Sequence, residues 1–111
     1  MTVYEVSDAS EFKYDNLVVD LNTLVFILFY DSNGVSSQAI LQWVENLSNS
    51  MDCASVRFHK NDVVESDELA EEYHIKHFPT CLFLKGGQVV DKLQTPRDEE
   101  VVKEAVMKNQ A

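Results

Sequence analysis

Basic residues are scarce in this chain. Nine Lys and Arg stand against 19 Asp and Glu, a formal net charge of −10 at pH 7. That balance excludes most nucleic-acid binding, because counterion release needs clustered cations to neutralise phosphates. It argues against an anionic membrane surface for the same reason. Cysteine is nearly absent: Cys53 and Cys81 form no motif and are too few for a secreted disulfide framework, which fits a reducing compartment. The start, Met1 to Val6, has no basic residues leading into an apolar run, so it does not read as a signal peptide. The longest apolar run, Leu24 to Tyr30, is seven residues and cannot span a bilayer. The expectation is a soluble cytoplasmic protein. With three Gly and two Pro, the chain shows no linker, repeat or low-complexity segment.

Metal chemistry is also poorly provided for. His74 and His77 have the spacing of a helix-face pair, but two ligands make no site and catalytic zinc commonly takes three. His59 falls on a different element. No metal and no cofactor are expected.

What the chain does have is a core. It has 111 residues, of which 45% are hydrophobic, enough for one domain spanning 1–111. Val3 to Val6 reads as a short strand, and Ser7 as the cap of a helix over Asp8 to Asp20 carrying Phe12, Leu17 and Val18. Leu24 to Tyr30 is apolar without alternation, a strand covered on both faces. Asp31-Ser32-Asn33-Gly34 is a turn before a helix carrying Ile40, Leu41, Val44 and Leu47. Ser55 to Lys60 is a third strand, and Ser66 caps a short helix with Leu69, Ala70 and Tyr73. After Phe78-Pro79-Thr80, Cys81 to Leu84 and Gln88 to Leu93 form a hairpin about Gly86-Gly87. Thr95 is read as the cap of a last helix, with Pro96 in its first turn and Val101, Val102, Ala105 and Val106 inward. Strands separated by helices give parallel crossovers, and the terminal hairpin adds an antiparallel edge.

This order, with a lone proline before an apolar strand and a glycine turn, resembles the thioredoxin family. The resemblance runs from about Val3 to Lys108 and is carried by Phe78-Pro79-Thr80-Cys81-Leu82-Phe83-Leu84-Lys85-Gly86-Gly87 and by the strand, turn and helix from Leu24 to Leu47. It implies a thioredoxin fold of class α/β: a central mixed sheet with helices on both faces. The family's redox centre is a Trp-Cys-Gly-Pro-Cys turn, whose first thiolate attacks a disulfide and whose second thiol resolves the product. The matching residues here are Ser32-Asn33-Gly34-Val35-Ser36. Asn33 stands for the nucleophile and Ser36 for the resolving thiol; neither carries sulfur. Ile27 stands where the family has a buried carboxylate, and Lys60 falls at or near the place of that acid's lysine partner in some bacterial members.

The site expected from the resemblance is therefore a binding face without catalytic residues. In the family the residue before the cis-proline offers its backbone to an extended peptide, which maps here to Phe78 and Pro79. Ser32, Asn33, Val35, His77 and Thr95 flank them. Thr95 departs from a glycine common in the family and narrows the groove. An exposed Phe78, with Val35 and Pro79, would make a small apolar patch. Ser32 or Asn33 is read as the cap of the second helix. Cys81 reads as a small buried hydrophobe, and Cys53 as a thiol near the surface whose neighbour Asp52 raises its pKa. Six acidic residues between Asp62 and Glu72 form either a solvated helix face or a docking patch for a basic partner. The expected function is a non-catalytic protein-interaction module, monomeric or weakly dimeric, with an unidentified protein partner. The alternative is a single-thiol oxidoreductase or redox sensor using Cys81 or Cys53.

Overall fold

The computed structural model describes residues 3–8, 12 and 21–110. Five strands form one mixed sheet: β1 (Val3–Glu5), β2 (Leu24–Tyr30), β3 (Arg57–Asp62), β4 (Thr80–Lys85) and β5 (Gln88–Gln94), in the order β1-β3-β2-β4-β5. β1, β3 and β2 run parallel, while β4 is antiparallel to both β2 and β5. Helices α1 (Ser37–Ser48), α2 (Glu68–Glu72) and α3 (Glu99–Gln110) pack on the sheet. The expected α/β mixed sheet with helices is what the chain adopts.

Strand β2 is buried at all seven positions, as its unalternating apolar sequence requires. Its even-numbered residues enter a cluster with Ile40, Val44 and Leu47 of α1 and Val102 and Val106 of α3. Val25, Ile27 and Phe29 enter the opposite cluster with Phe12 and with Leu69 and Ala70 of α2. The two-fold side-chain period of a strand thus feeds one core on each face. Phe26 is the pivot of the first cluster, with its ring centroid 5.2 Å from Phe58 and 5.3 Å from Phe83, the latter edge-on.

Several element ends differ from the sequence expectation. The helix expected over Asp8 to Asp20, including Leu17 and Val18, lies outside the described residues except at Asp8 and Phe12. There Phe12 is helical and buried, and its N–H donates to the Asp8 carbonyl at 3.0 Å. Strand β3 sits two residues later than expected because its ladder with β2 runs out to Tyr30 opposite Asp62. The connection from β3 to β4 is not a parallel crossover. Five residues of α2 span about 7.5 Å, too little to return the chain along a six-residue strand. Ser66 does not cap α2: its hydroxyl donates to the Ser7 carbonyl, and Asp67 stands at the cap without a side-chain bond. Thr95 does not cap α3 either. The helix starts at Glu99, and Asp98 accepts the Val101 N–H at 2.9 Å. Gly86 and Gly87, with φ of 56° and 78°, do form the two-residue hairpin turn, and a Cβ on Gly86 would collide with Leu21.

Phe26→Ala removes a ring held between two others at zero exposure. It is expected to cost about 3–5 kcal/mol, read as a lower midpoint in urea unfolding at unchanged slope.

Candidate functional site

The register of the sheet decides what meets at the end where the resemblance places the site. Tyr30 lies opposite Asp62, Phe29 opposite Thr80, and Thr80 opposite Gln94. The turn after β2, the loop after β3, the segment before β4 and the loop after β5 therefore gather at one end of the sheet. Ser32 to Ser36, Val63, Phe78, Pro79 and Thr95 all belong to it.

The turn after β2 is organised by two carboxylates. Asp31 accepts the Asn33 N–H at 2.8 Å through its side chain and the Gly34 N–H at 2.8 Å through its carbonyl. The Ser37 hydroxyl donates to that same carbonyl. A Cβ on Gly34 would stand 3.0 Å from the Asp31 oxygen, so this glycine is held by packing rather than by chemistry. Asp62 reaches across from β3 and accepts the Ser32 N–H at 3.3 Å and the Val64 N–H at 3.1 Å. Burial acts to raise the Asp62 carboxyl. The bonds it accepts from the Ser32 hydroxyl and from the Val64 and Ser32 N–H groups outweigh that and hold it below the usual carboxylate value. Neither Ser32 nor Asn33 is the helix cap expected of it. Helix α1 begins at Ser37, behind Ser36, and no side chain caps it; Ser32 and Asn33 are consumed in the turn.

The Phe78–Pro79 peptide bond is cis. The Pro79 carbonyl accepts the Thr95 N–H at 2.7 Å, and the Thr80 hydroxyl donates to the His77 carbonyl at 2.6 Å. The Phe78 N–H and C=O take no partner among the described residues. Thr95 adopts φ 42°, a left-handed conformation that suits glycine and strains a β-branched residue. Phe78 is not the exposed residue expected. It is half-buried and leans on the second core cluster. Val35 is fully exposed, and His77, Ser32, Asn33, Ser36 and Thr95 are exposed around it. Ile27 is buried in the second cluster, where an aliphatic chain completes the packing.

Neither thiol belongs to this site. Cys81 is buried in β4 between Leu28 and Leu93, and burial raises its pKa far above the ordinary thiol value. Cys53 is also fully buried, which corrects the expected surface position. It closes a single 3-10 turn, Met51–Cys53, and joins the first core cluster facing α3. Burial raises its pKa first and Asp52 second, against smaller opposing effects from Lys103 and Ser50. Asp52 is held beneath the end of α3, accepting from Gln110 through its carbonyl and lying 3.9 Å from the Lys103 ammonium. Both cysteines are free. Among the described residues no group of three His, Cys, Asp or Glu is placed to hold a metal, and no helix is long and apolar enough to cross a membrane.

Sequence reasoning missed Asp31 and Asp62 as the residues that shape the turn. An Asp opening a four-residue turn that ends in Gly was the available signal for Asp31. For Asp62 the signal was only an acid at a strand end. The two thiols are expected to resist an aromatic disulfide reagent in the folded chain and to react at once in denaturant. Because their folded pKa values are raised, they hold protons that the unfolded chain releases, so stability is full below about pH 8.5 and falls as pH rises beyond it. A thermal midpoint that stays level through the alkaline range contradicts this.

A family model described as thioredoxin matches residues 4–108. Thioredoxin-2 of Saccharomyces cerevisiae is 26% identical over 107 residues, covering 96% of this chain and 98% of its own length. Thioredoxin C-2 of Corynebacterium nephridii is 33% identical over 73 residues, 66% of this chain and 67% of the relative. Thioredoxin H4 of Arabidopsis thaliana is 40% identical over 48 residues, and that match spans only 40% of the relative. Among solved structures, Malassezia sympodialis thioredoxin superposes with a TM-score of 0.85 at 26% identity, covering 99% of this chain and 92% of that one. Oxidised Plasmodium falciparum thioredoxin gives 0.82 at 26%, covering 99% and 100%. With a family model matched over nearly its whole length and solved thioredoxins superposing on the same backbone, the chain belongs to the thioredoxin family.

Proposed function

We propose that this chain is a non-catalytic thioredoxin-fold module that binds other proteins at the end of the sheet around Phe78 and Pro79. The observation that carries the reading is that this end holds no sulfur, while the chain's two thiols are wholly buried elsewhere. Disulfide exchange needs an accessible thiolate. Asn33 and Ser36 offer none, and their turn is instead fixed by carboxylates that accept its N–H groups. The Phe78 N–H and C=O, left without partners, suit pairing with an extended partner segment. Two unpaired cysteines in a redox family fit a reducing, cytoplasmic setting. The chain is taken as monomeric, or at most weakly self-associating.

The names of the relatives favour a second reading. They are thioredoxins, and a single-thiol oxidoreductase or redox sensor would keep this chain nearer to them. Such a protein would have to use Cys81 or Cys53, and the burial of both weighs against it.

Two measurements separate the readings. In a coupled insulin-reduction assay with thioredoxin reductase, the chain is expected to give no turnover above the blank. Turnover that vanishes in Cys81→Ser or Cys53→Ser would establish the oxidoreductase. Affinity capture should retain a defined partner with the native chain and lose it, by about tenfold, with Val35→Asp. That side chain is fully exposed, so its replacement leaves the fold intact. Phe78→Asp serves as the stronger variant, checked for folding because Phe78 leans on the core.

A further inference from the structure

On the side of Phe78 facing α2 lies a groove of about 470 Å³. Val63, Ala70, Ile75 and Phe78 supply its apolar wall, and Asp67 and Glu71 its acidic rim. Ala70 and Ile75 are buried in the second core cluster and Val63 and Phe78 are half-buried against it, so the wall is fixed before any ligand arrives. The rim does not depend on one carboxylate. Asp67 and Glu71 lie in the run of six acids from Asp62 to Glu72, and neither is in an ion pair among the described residues. His74 and Lys76 also border the groove, beyond the end of α2. Its charge is therefore divided, with the acids along the helix side.

We infer that this groove docks a partner segment in which an apolar side chain is flanked by Lys or Arg, the apolar group seated against Val63 and Phe78 and the cations against Asp67 and Glu71. The inference rests on the interaction-module reading and names the chemistry of its partner. Apolar burial supplies contact, and opposite charge supplies orientation and a faster encounter. A second copy of the chain fits poorly, since each carries a net charge of −10 and like-charged surfaces repel. An anionic membrane or nucleic acid meets the same obstacle.

The test is titration of the isotope-labelled chain with three synthetic peptides, followed by amide shifts. The probes are Lys-Lys-Leu-Phe-Lys-Lys, its counterpart with Glu in place of Lys, and Lys-Lys-Gly-Ser-Lys-Lys. The first is expected to give saturable shifts at Val63, Glu71, Ile75 and Phe78, and to bind at least about tenfold more tightly than the other two at low salt. Asp67→Asn with Glu71→Gln should weaken it about fivefold, and added salt should weaken it further. Glu100→Gln with Glu104→Gln removes as much charge from exposed positions of α3 and should change nothing. Equal binding of the acidic peptide, shifts scattered over the surface, no shifts with any peptide, or an equal loss in the α3 variant overturns the proposal. If a defined partner is lost with Val35→Asp but kept by the Asp67/Glu71 variant, the groove fails and the interaction module stands.

Discussion

All seven residues of β2 are buried because β3 lies on one edge, β4 on the other, and a hydrophobic cluster on each face. A strand enclosed on four sides cannot slip. Moving it by one residue would exchange Phe26 and Leu28 with Val25 and Ile27, and two differently shaped cores would have to be rebuilt at once. The register that follows sets where the chain leaves the sheet at Tyr30, and hence where the turn at Asp31 stands. The geometry of the site descends from that placement. The end of β3 at Asp62 and the loops bearing Pro79 and Thr95 meet this turn because the ladders of β2 with β3 and β4, and of β4 with β5, end there.

The turn itself is held by acceptors rather than built around a thiol. A redox turn must present a sulfur stabilised as thiolate, which calls for unsatisfied N–H groups and positive charge close by. In this chain the Asn33 and Ser32 N–H groups are already taken by Asp31 and Asp62. Even a cysteine substituted at Asn33 would find the donor of its own residue engaged and two carboxylates at hand. Ser32 and Asn33 therefore belong to a polar turn closed by acceptors. The two carboxylates beside it oppose a further negative charge there.

Much of the fold was legible because its signals are local and strong. An unbroken apolar run for β2, a Gly-Gly turn for the hairpin, and the Ile40, Val44, Leu47 spacing of α1 each have one simple structural solution. What was not legible depended on partners distant in sequence. The cap of α3 falls on Asp98 rather than Thr95 because the helix begins only at Glu99, while Thr95 stays tied to the start of β4 through the Pro79 carbonyl. Cys53 looked like a surface residue from its polar neighbours, but α3, fifty residues away, closes over it. Phe78 looked exposed for the converse reason. Nothing in its own segment announces that α2 and Val63 form a wall for it to lean on. The acids of α2 were visible from the start, and only the fold sets two of them beside an apolar surface.

Phe78 thus divides two approaches to the same end of the sheet. On the β5 side, Thr95 carries a branched side chain in a left-handed backbone where glycine would leave open space. An extended segment paired with Phe78, as proposed, would pass this side chain. On the α2 side, the surface widens into a groove with an apolar wall and a negative rim. In the proposed docking mode the Thr95 side chain and the Asp67 and Glu71 carboxylates act in the same direction, each favouring approach along α2. Selection against anionic partners comes from the same charges, and it holds at distances comparable with the Debye length, before any contact is made. On this thioredoxin scaffold the unpartnered Phe78 N–H and C=O stand between those two surfaces. The contrast between them follows from one threonine, two acids and the fixed placement of β2.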